Sequence, residues 1–449
     1  MDGAFFYILA LLAALIPFSA ILGSRLLYAR ANHSVMGAVR IKRLYALRQL
    51  GATTLLIVDM DCVRSNHAAH VLAVARRAGI KVCLATRGAA RTTAAVRIGY
   101  AESAKAITVL QGKELRELTG QQLTVLLREK TILLSHLTSE DKVHLVTHAQ
   151  QEGELVTLAT ADGADILPLE YATVGVAMGN TISEQTERVS DVIVADGDIT
   201  TLAGAIQAGR VAIANSRKAL AIALVSNVAA ASIVMISLTG DALSHIPPAI
   251  SVLQVVAITI LAGTLPALLL AGDKHEGNPM HHSPRGLATR GVSRIEGMRI
   301  IWSGVVIGGL AYCNYLWFFD RNNLDAGYLT AGSTVHNSGV AIALITTALC
   351  LLVYTAHQRS AHGLFTKYQR HNKIFWAGIA LAVVVIALLP LVPVPASVGL
   401  VLVSGVDWLY IMGSAIAFLG ICEFHRHNRK HHRKAVLELH QNVHAKSLR

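Results

Sequence analysis

Charge is scarce in this chain. Only 15% of its 449 residues are Asp, Glu, Lys or Arg, while 53% are hydrophobic and mean hydropathy is +0.49. Soluble globular domains carry about 25% charged residues, so this balance argues against a wholly soluble protein. Acid is scarcer than base, with 28 Asp and Glu against 40 Lys and Arg, and the net charge is +12. Cysteine is sparse as well. Cys62, Cys83, Cys313, Cys350 and Cys422 show no CxxC spacing, which points to neither a disulfide framework nor a zinc site. Cys62 and Cys83 fall in the more polar part of the chain, which suits a reducing cytosol.

What the chain has in abundance is long apolar runs. Residues 5–23 form one long enough to span a bilayer. It lacks a basic start and a small-residue cleavage site, and so reads as a retained anchor rather than a signal peptide. Six more runs follow at about 219–240, 248–271, 299–319, 335–356, 374–391 and 398–422. The loops at 241–247 and 390–397 carry no Lys or Arg, and 320–334 carries only Arg321. The alternate loops carry Lys274, Arg285, Arg290, Arg294, Arg299, Arg359, Lys367, Arg370 and Lys373, and the tail at 423–449 is basic and His-rich. The positive-inside rule then puts the N-terminus outside, with the main domain and the C-terminus in the cytoplasm. The lipid bilayer is therefore the first expected partner. The basic charge is loop charge, and no nucleic-acid partner is needed to explain it.

Residues 24–218 are the one soluble-looking block. Strand-like runs at 54–58, 81–86, 106–110, 131–137, 155–159, 174–178 and 192–194 alternate with helical stretches. That alternation predicts an α/β domain with a parallel, Rossmann-type sheet. The expected fold class is this cytoplasmic domain plus an α-helical bundle of about seven membrane helices. Catalytic groups in such sheets sit at the carboxyl ends of strands. Asp162, on the turn Thr160-Ala161-Asp162-Gly163, is at one. A carboxylate there suits a hard cation such as Mg2+; a plain Asp-Gly turn explains the same residues.

The wording of Leu155–Asn180 carries a resemblance. Thr160-Ala161-Asp162-Gly163-Ala164-Asp165-Ile166-Leu167-Pro168, then Ala172-Thr173-Val174-Gly175-Val176-Ala177-Met178-Gly179, resemble the hinge motif of the P-type ATPases, TGDGVNDAPAL and ADVGIAMG. Ser190–Arg210, Gly51-Ala52-Thr53-Thr54, Ala78–Val82 and Ser139-Glu140-Asp141-Lys142 extend the match in order. The six helices after the hinge resemble the ten-helix cation pumps. This chain departs from the pattern at Ala161, Asp165 and Ile166, which stand for Gly, Asn and Asp.

The resemblance implies absences too. The pumps' actuator domain and first helices would lie before Met1, and their nucleotide-binding domain between Asp59 and Ala78, where no Walker-type loop stands in for it. The carboxylates of the family's ion site are replaced: Phe18 stands at the PEGL glutamate, the fifth-helix pattern reads Asn227-Val228-Ala229-Ala230, and the sixth reads Thr259 to Pro266. A divalent ion at the bilayer midplane requires several oxygens, usually with carboxylates among them. Autonomous pumping is therefore not expected. Asp407, the carboxylate inside an apolar run, has Asn314, His336, Asn337 and Trp408 as expected polar company, with a lumenal-edge or protonated residue as the other reading. His427 and His431 could share a helix face and bind a transition metal, but a solvated basic tail is the simpler reading.

Leu55–Val63, LLIVDMDCV, resembles the first motif of the HAD superfamily, to which the pumps' phosphorylation domain belongs. By that resemblance Asp59 is the nucleophile, Asp61 the general acid and base, Thr86 a phosphoryl-oxygen ligand and Lys142 the balancing charge. Asp59, Asp61, Asp162 and Asp165 are the expected Mg2+ set. Asp61-Cys62-Val63-Arg64 also resembles the DPPR that follows the nucleotide domain, and a splice scar is the other reading of the DxD. Three functions remain open at this stage. The first is a truncated, non-pumping regulatory or scaffolding protein acting on a second chain or another P-type ATPase. The second is a membrane-anchored Mg2+-dependent phosphatase, and the third is half of a split cation transporter.

Overall fold

The computed structural model describes residues 37–43, 45–63, 67–127, 131–258, 269, 270, 273, 277–281, 293–325, 330–360, 372–388 and 401–447, with side chains in the last segment as far as residue 428. The chain divides into two compact units, residues 25–216 with 274–293, and residues 1–24, 217–273 and 294–449.

The first unit is an α/β sheet domain. Its elements are β1 (Val39–Ile41), α1 (Ala46–Gly51), β2 (Leu55–Asp59), α2 (Ala68–Arg77), β3 (Lys81–Ala85), α3 (Thr92–Arg97), β4 (Thr108–Gln111), α4 (Gly112–Glu117), α5 (Gly120–Leu126), β5 (Ile132–Ser135), α6 (Ser139–Gln151), β6 (Val156–Thr160), α7 (Ile166–Tyr171), β7 (Val174–Met178), α8 (Glu184–Val189) and β8 (Val192–Val194). The strand order is β1-β8-β7-β6-β2-β3-β5-β4. Every pairing is parallel except that of β1 with β8, and β1 was not legible as a strand in the sequence.

The strands are apolar on both faces because helices cover both. Alternate residues of β2 go to opposite cores: Leu56 and Val58 join Leu84 and Val176, whereas Leu55 and Ile57 join Cys83 and Leu158. The chain leaves β2 for β3 on one side, while β6 pairs on its other side. The strand order therefore reverses at β2, and a crevice opens beyond its carboxyl end, where ligands bind in such sheets. Asp59 is the last residue of β2, paired with Ala85, and Val58 pairs with Ala159.

The long helix α9 (Ile199–Ser244) contributes residues to both units. The second unit continues with α10 (Val252–Ala257), α11 (Arg294–Arg321), α12 (Thr334–Arg359), α13 (Lys373–Leu388) and α14 (Gly405–Ser447). Among the described residues four helices are long and apolar enough to cross a membrane: Ile199–Ser244, Arg294–Arg321, Thr334–Arg359 and Gly405–Asn428. Lys373–Leu388 is apolar but shorter. The run at 5–23 lies outside the described residues, and that at 248–271 is described only in part. Gly304 and Gly308 let α11 lie against α9: a Cβ on Gly304 would come within 2.6 Å of Val228, and one on Gly308 within 2.7 Å of Ser232. Small residues four apart are what close helix packing within a bilayer uses.

Candidate functional site

Four strand ends build the site. Asp59 closes β2, Thr86 follows β3, Ser135 closes β5 and Thr160 closes β6. The loop after β5 then starts α6 with a capping box, in which Thr138 accepts from Asp141 N and Asp141 accepts from Thr138 N. That box fixes the first turn of α6 and directs Lys142 into the crevice, where its side chain is only 1% exposed. Arg116 braces the box from α4 through an ion pair with Asp141 at 3.0 Å.

Lys142 Nζ lies 2.7 Å from Asp59 Oδ1 and also pairs with Asp165 Oδ2. Thr160 donates to Asp59 Oδ2 and lies 2.9 Å from Asp165 Oδ2. Asp165, fully buried, also takes Ser139 Oγ at 3.0 Å and Arg87 at 2.8 Å on its other oxygen. Arg87 reaches Asp162 as well. Thr86 is buried at the same end, and its hydroxyl accepts from Gly88 N at 3.3 Å.

The electrostatics separate the two buried carboxylates. Burial pushes the Asp59 carboxyl above its ordinary range, and Lys142 and Thr160 offset only part of that. Burial also pushes Asp165 up, but Lys142, Thr160 and Arg87 outweigh it and hold that carboxyl below its ordinary range. Burial pulls the Lys142 ammonium down; Asp59 and Asp165 together outweigh this and hold it above its usual value. Burial and the nearby Asp59 charge push the Cys62 thiol up to about 12, so this cysteine is not a nucleophile at neutral pH.

The sequence expectations separate accordingly. Asp59, Lys142, Thr86 and Asp165 come together at one strand end. Asp162 lies at its rim, 35% exposed on Arg87. Asp61 is 55% exposed, in the turn after β2, and pairs with Arg91 at 2.9 Å. Thr160, Arg87 and Ser139 were not singled out as site residues. Arg87 directly follows Thr86, the expected phosphoryl-oxygen ligand.

The Mg2+ expectation meets a mismatch. Hard cations take oxygen ligands at about 2.0–2.6 Å. Here Asp61, Asp162 and Asp165 each hold an Arg or Lys instead. Among the described residues no group of three or more His, Cys, Asp or Glu could hold a metal ion. The expected four-carboxylate set is therefore not assembled as a cation site.

Asp407 does not keep the polar company of Asn314 and His336. It sits in the first turn of α14, takes Ser404 Oγ at 2.6 Å and pairs with Arg321. Asn314 bonds Thr346 and Ser414 instead, at 3.1 and 3.0 Å, and His336 Nε2 faces Pro248 O. A second buried pair was read in the sequence only as loop charge: Arg359 grips Asp273 with two nitrogens, at 2.8 and 3.0 Å. Thr259, Pro266 and Phe18 lie outside the described residues, as does the His431 side chain.

Residues 247–427 match the family model described as cation transporting ATPase, C-terminus. A calcium-transporting ATPase of Bacillus subtilis is 26% identical over 343 residues, which is 75% of this chain and 36% of that protein. This chain is a P-type ATPase relative, similar to the C-terminal portion of those pumps. Calcium-transporting ATPase 2 of Saccharomyces cerevisiae is 30% identical over 49% of this chain and 19% of its own length. The sodium/potassium-transporting ATPase subunit alpha-1 of Oreochromis mossambicus is 29% identical over 40% of this chain and 17% of its length. The match to this P-type ATPase relative thus spans about a third, or less, of each pump. Four span-capable helices together with this kinship make it an integral membrane protein.

Proposed function

We propose that this chain is a non-pumping membrane relative of the cation-transporting ATPases, in which residues 24–218 form a HAD-like cytoplasmic domain that regulates or scaffolds a second protein chain. In this reading residues 1–23 and 219–422 provide seven spans, and 423–449 a basic cytoplasmic tail. The observation that supports it most is the passage from β2 to α2. Residues 60–67 are all that separate Asp59 from Ala68, where the pumps that the sequence resembles carry a nucleotide-binding domain. In this reading the Asp59 carboxylate has no module of this chain to deliver ATP to it. Proteoliposomes holding the purified protein should show no ATP-driven uptake of Ca2+, Na+ or protons. Uptake above an ATP-free control overturns the reading.

A phosphatase reading is favoured by one specific observation, the meeting of Asp59 with Lys142, Thr160 and the Thr86 strand end. In it, an Asp59 oxygen attacks phosphorus, the ester bond breaks, and the leaving oxygen takes a proton from Asp61, which must first part from Arg91. Water, giving its proton to Asp61, then displaces Asp59 from phosphorus and releases phosphate. Hydrolysis of a generic phosphomonoester, with and without Mg2+, tests it. Turnover should vanish in Asp59→Asn, and Asp61→Thr should slow the second step by about 10²–10⁴. Equal activity in wild type and Asp59→Asn removes this reading.

A further inference from the structure

Arg87 occupies the place that the site's own chemistry leaves for a cation. Its Nε pairs with Asp162, its Nη2 lies 2.8 Å from Asp165 Oδ1, and the same nitrogen donates to Ser139 Oγ at 2.9 Å. Ser139 in turn donates to Ala164 O at 2.8 Å, closing the ring onto the turn that carries Asp162. The guanidinium thus joins two carboxylates of one loop, as a bound cation would, with a planar fork instead of a point charge.

The loop that delivers it is fixed by main chain. Thr86 N donates to Leu134 O at 2.9 Å, His136 N to Gly88 O at 3.0 Å and Leu137 N to Thr86 O at 3.2 Å. Residues 86–88 are therefore laced to the strand and loop ahead of α6 on both sides of Arg87. The lacing fixes the main chain on both sides of Arg87, and the guanidinium itself, 41% exposed, is held by Asp162, Asp165 and Ser139.

All four oxygens of the two carboxylates are engaged. Asp162 Oδ1 accepts from Ala164 N at 2.9 Å, and its Oδ2 holds Arg87. Asp165 Oδ1 takes Arg87 and Ser139, and its Oδ2 takes Lys142 and Thr160. A divalent ion, which needs such oxygens as direct ligands, would have to expel the guanidinium first. Lys142 and Arg87 cancel two of the three negative charges that Asp59, Asp162 and Asp165 can carry, so the strand end keeps at most one net negative charge.

We infer that Arg87 is a tethered cation that replaces a divalent metal, so that the sheet domain holds its catalytic end closed without Mg2+. The inference deepens the non-pumping reading of the same site and rests on it for its meaning, but its test does not measure transport. The full-length protein in detergent is titrated with Mn2+, followed by loss of the free-ion paramagnetic resonance signal. Its thermal midpoint is then measured with excess Mg2+ and with a chelator. Wild type should take up no Mn2+ and show no Mg2+ shift. Arg87→Ala should bind Mn2+ and gain on the order of 3–6 °C for each tenfold excess of Mg2+ over its Kd, as ligand linkage requires. Arg87→Lys, which keeps the charge, should behave as wild type. If Arg87→Ala does not fold, Arg87→Gln serves in its place, keeping length and a donor group without the charge. Mn2+ uptake by wild type equal to that of the neutral variant overturns the inference. So does failure of the neutral variant to bind at all, because the guanidinium would then not be what excludes the metal.

Discussion

Lys142 Nζ stands 2.7 Å from Asp59 Oδ1, across 83 positions of chain. The contact joins the first turn of α6 to the end of β2, and Asp165 completes a buried triad with it. Lysine is the one ammonium available to both carboxylates there, so its loss leaves two buried acids facing each other.

Lys142→Met should therefore destabilise the sheet domain strongly. Removing one partner of a buried ion pair costs about 3–5 kcal/mol. Scanning calorimetry of the detergent-solubilised protein would show the lowered transition. A cost below about 1 kcal/mol, the level of a surface pair, would mean that the triad is not dry.

The two carboxylates should respond oppositely to amidation. Asp165 has a folded pKa below its unfolded one, so its ionised form stabilises the fold above the ordinary carboxylate range, and this is lost as pH falls through the depressed value. Asp59 has a raised folded pKa, so its contribution is present in acid and lost as pH rises through that value. At neutral pH Asp165→Asn should lower the thermal midpoint, and Asp59→Asn should leave it unchanged or raise it. Equal losses in both variants would contradict this assignment. Lys142 adds an alkaline limb: its raised folded pKa means that its contribution fades only above the ordinary lysine range.

Gly209 of α9 lies against α1, where a Cβ would come within 2.3 Å of Leu47 O and 2.7 Å of Gly51 N. Both neighbours are backbone and cannot step aside as a side chain would. Gly209→Ala should cost about 1–3 kcal/mol, as overpacking does, and is read as a drop in the urea midpoint with unchanged slope. An unchanged midpoint would show that the two helices separate freely.

In the helical unit the Arg359–Asp273 fork is 1% exposed on both partners and lies under the ring of Phe375, 4.6 Å from the guanidinium. Arg359→Met alone should cost about 3–5 kcal/mol by stranding Asp273, whereas Arg359→Met with Asp273→Leu should recover most of it. Thermal aggregation in detergent, compared across the double-mutant cycle, measures the coupling. Additive losses would argue that the two charges act separately.

The α/β character of the sheet domain was legible because period and punctuation are local: apolar runs of strand length recur between helical stretches, and Val174–Met178 and Val192–Val194 stand where the pattern put them. Asp59, Thr86, Lys142 and Asp165 were expected together only through the resemblance to the HAD motifs, and the fold brings their side chains to one end of the sheet. Edge strand β1 was not, since three residues carry too little pattern and it exists only by pairing with β8.

Tertiary structure alone decided what the charges do. The resemblance made Asp61, Asp162 and Asp165 metal candidates, but an ion pair depends on which loops the fold brings within about 4 Å, and neither Arg87 nor Arg91 is near its partner in sequence. The same holds for Asp407, whose true neighbours Ser404 and Arg321 come from its own helix start and from the end of α11. Hydrophobic patterning acts over one or two turns and survives in the sequence. Electrostatic pairing acts through space between distant segments, and only the packed fold determines which carboxylate meets which cation.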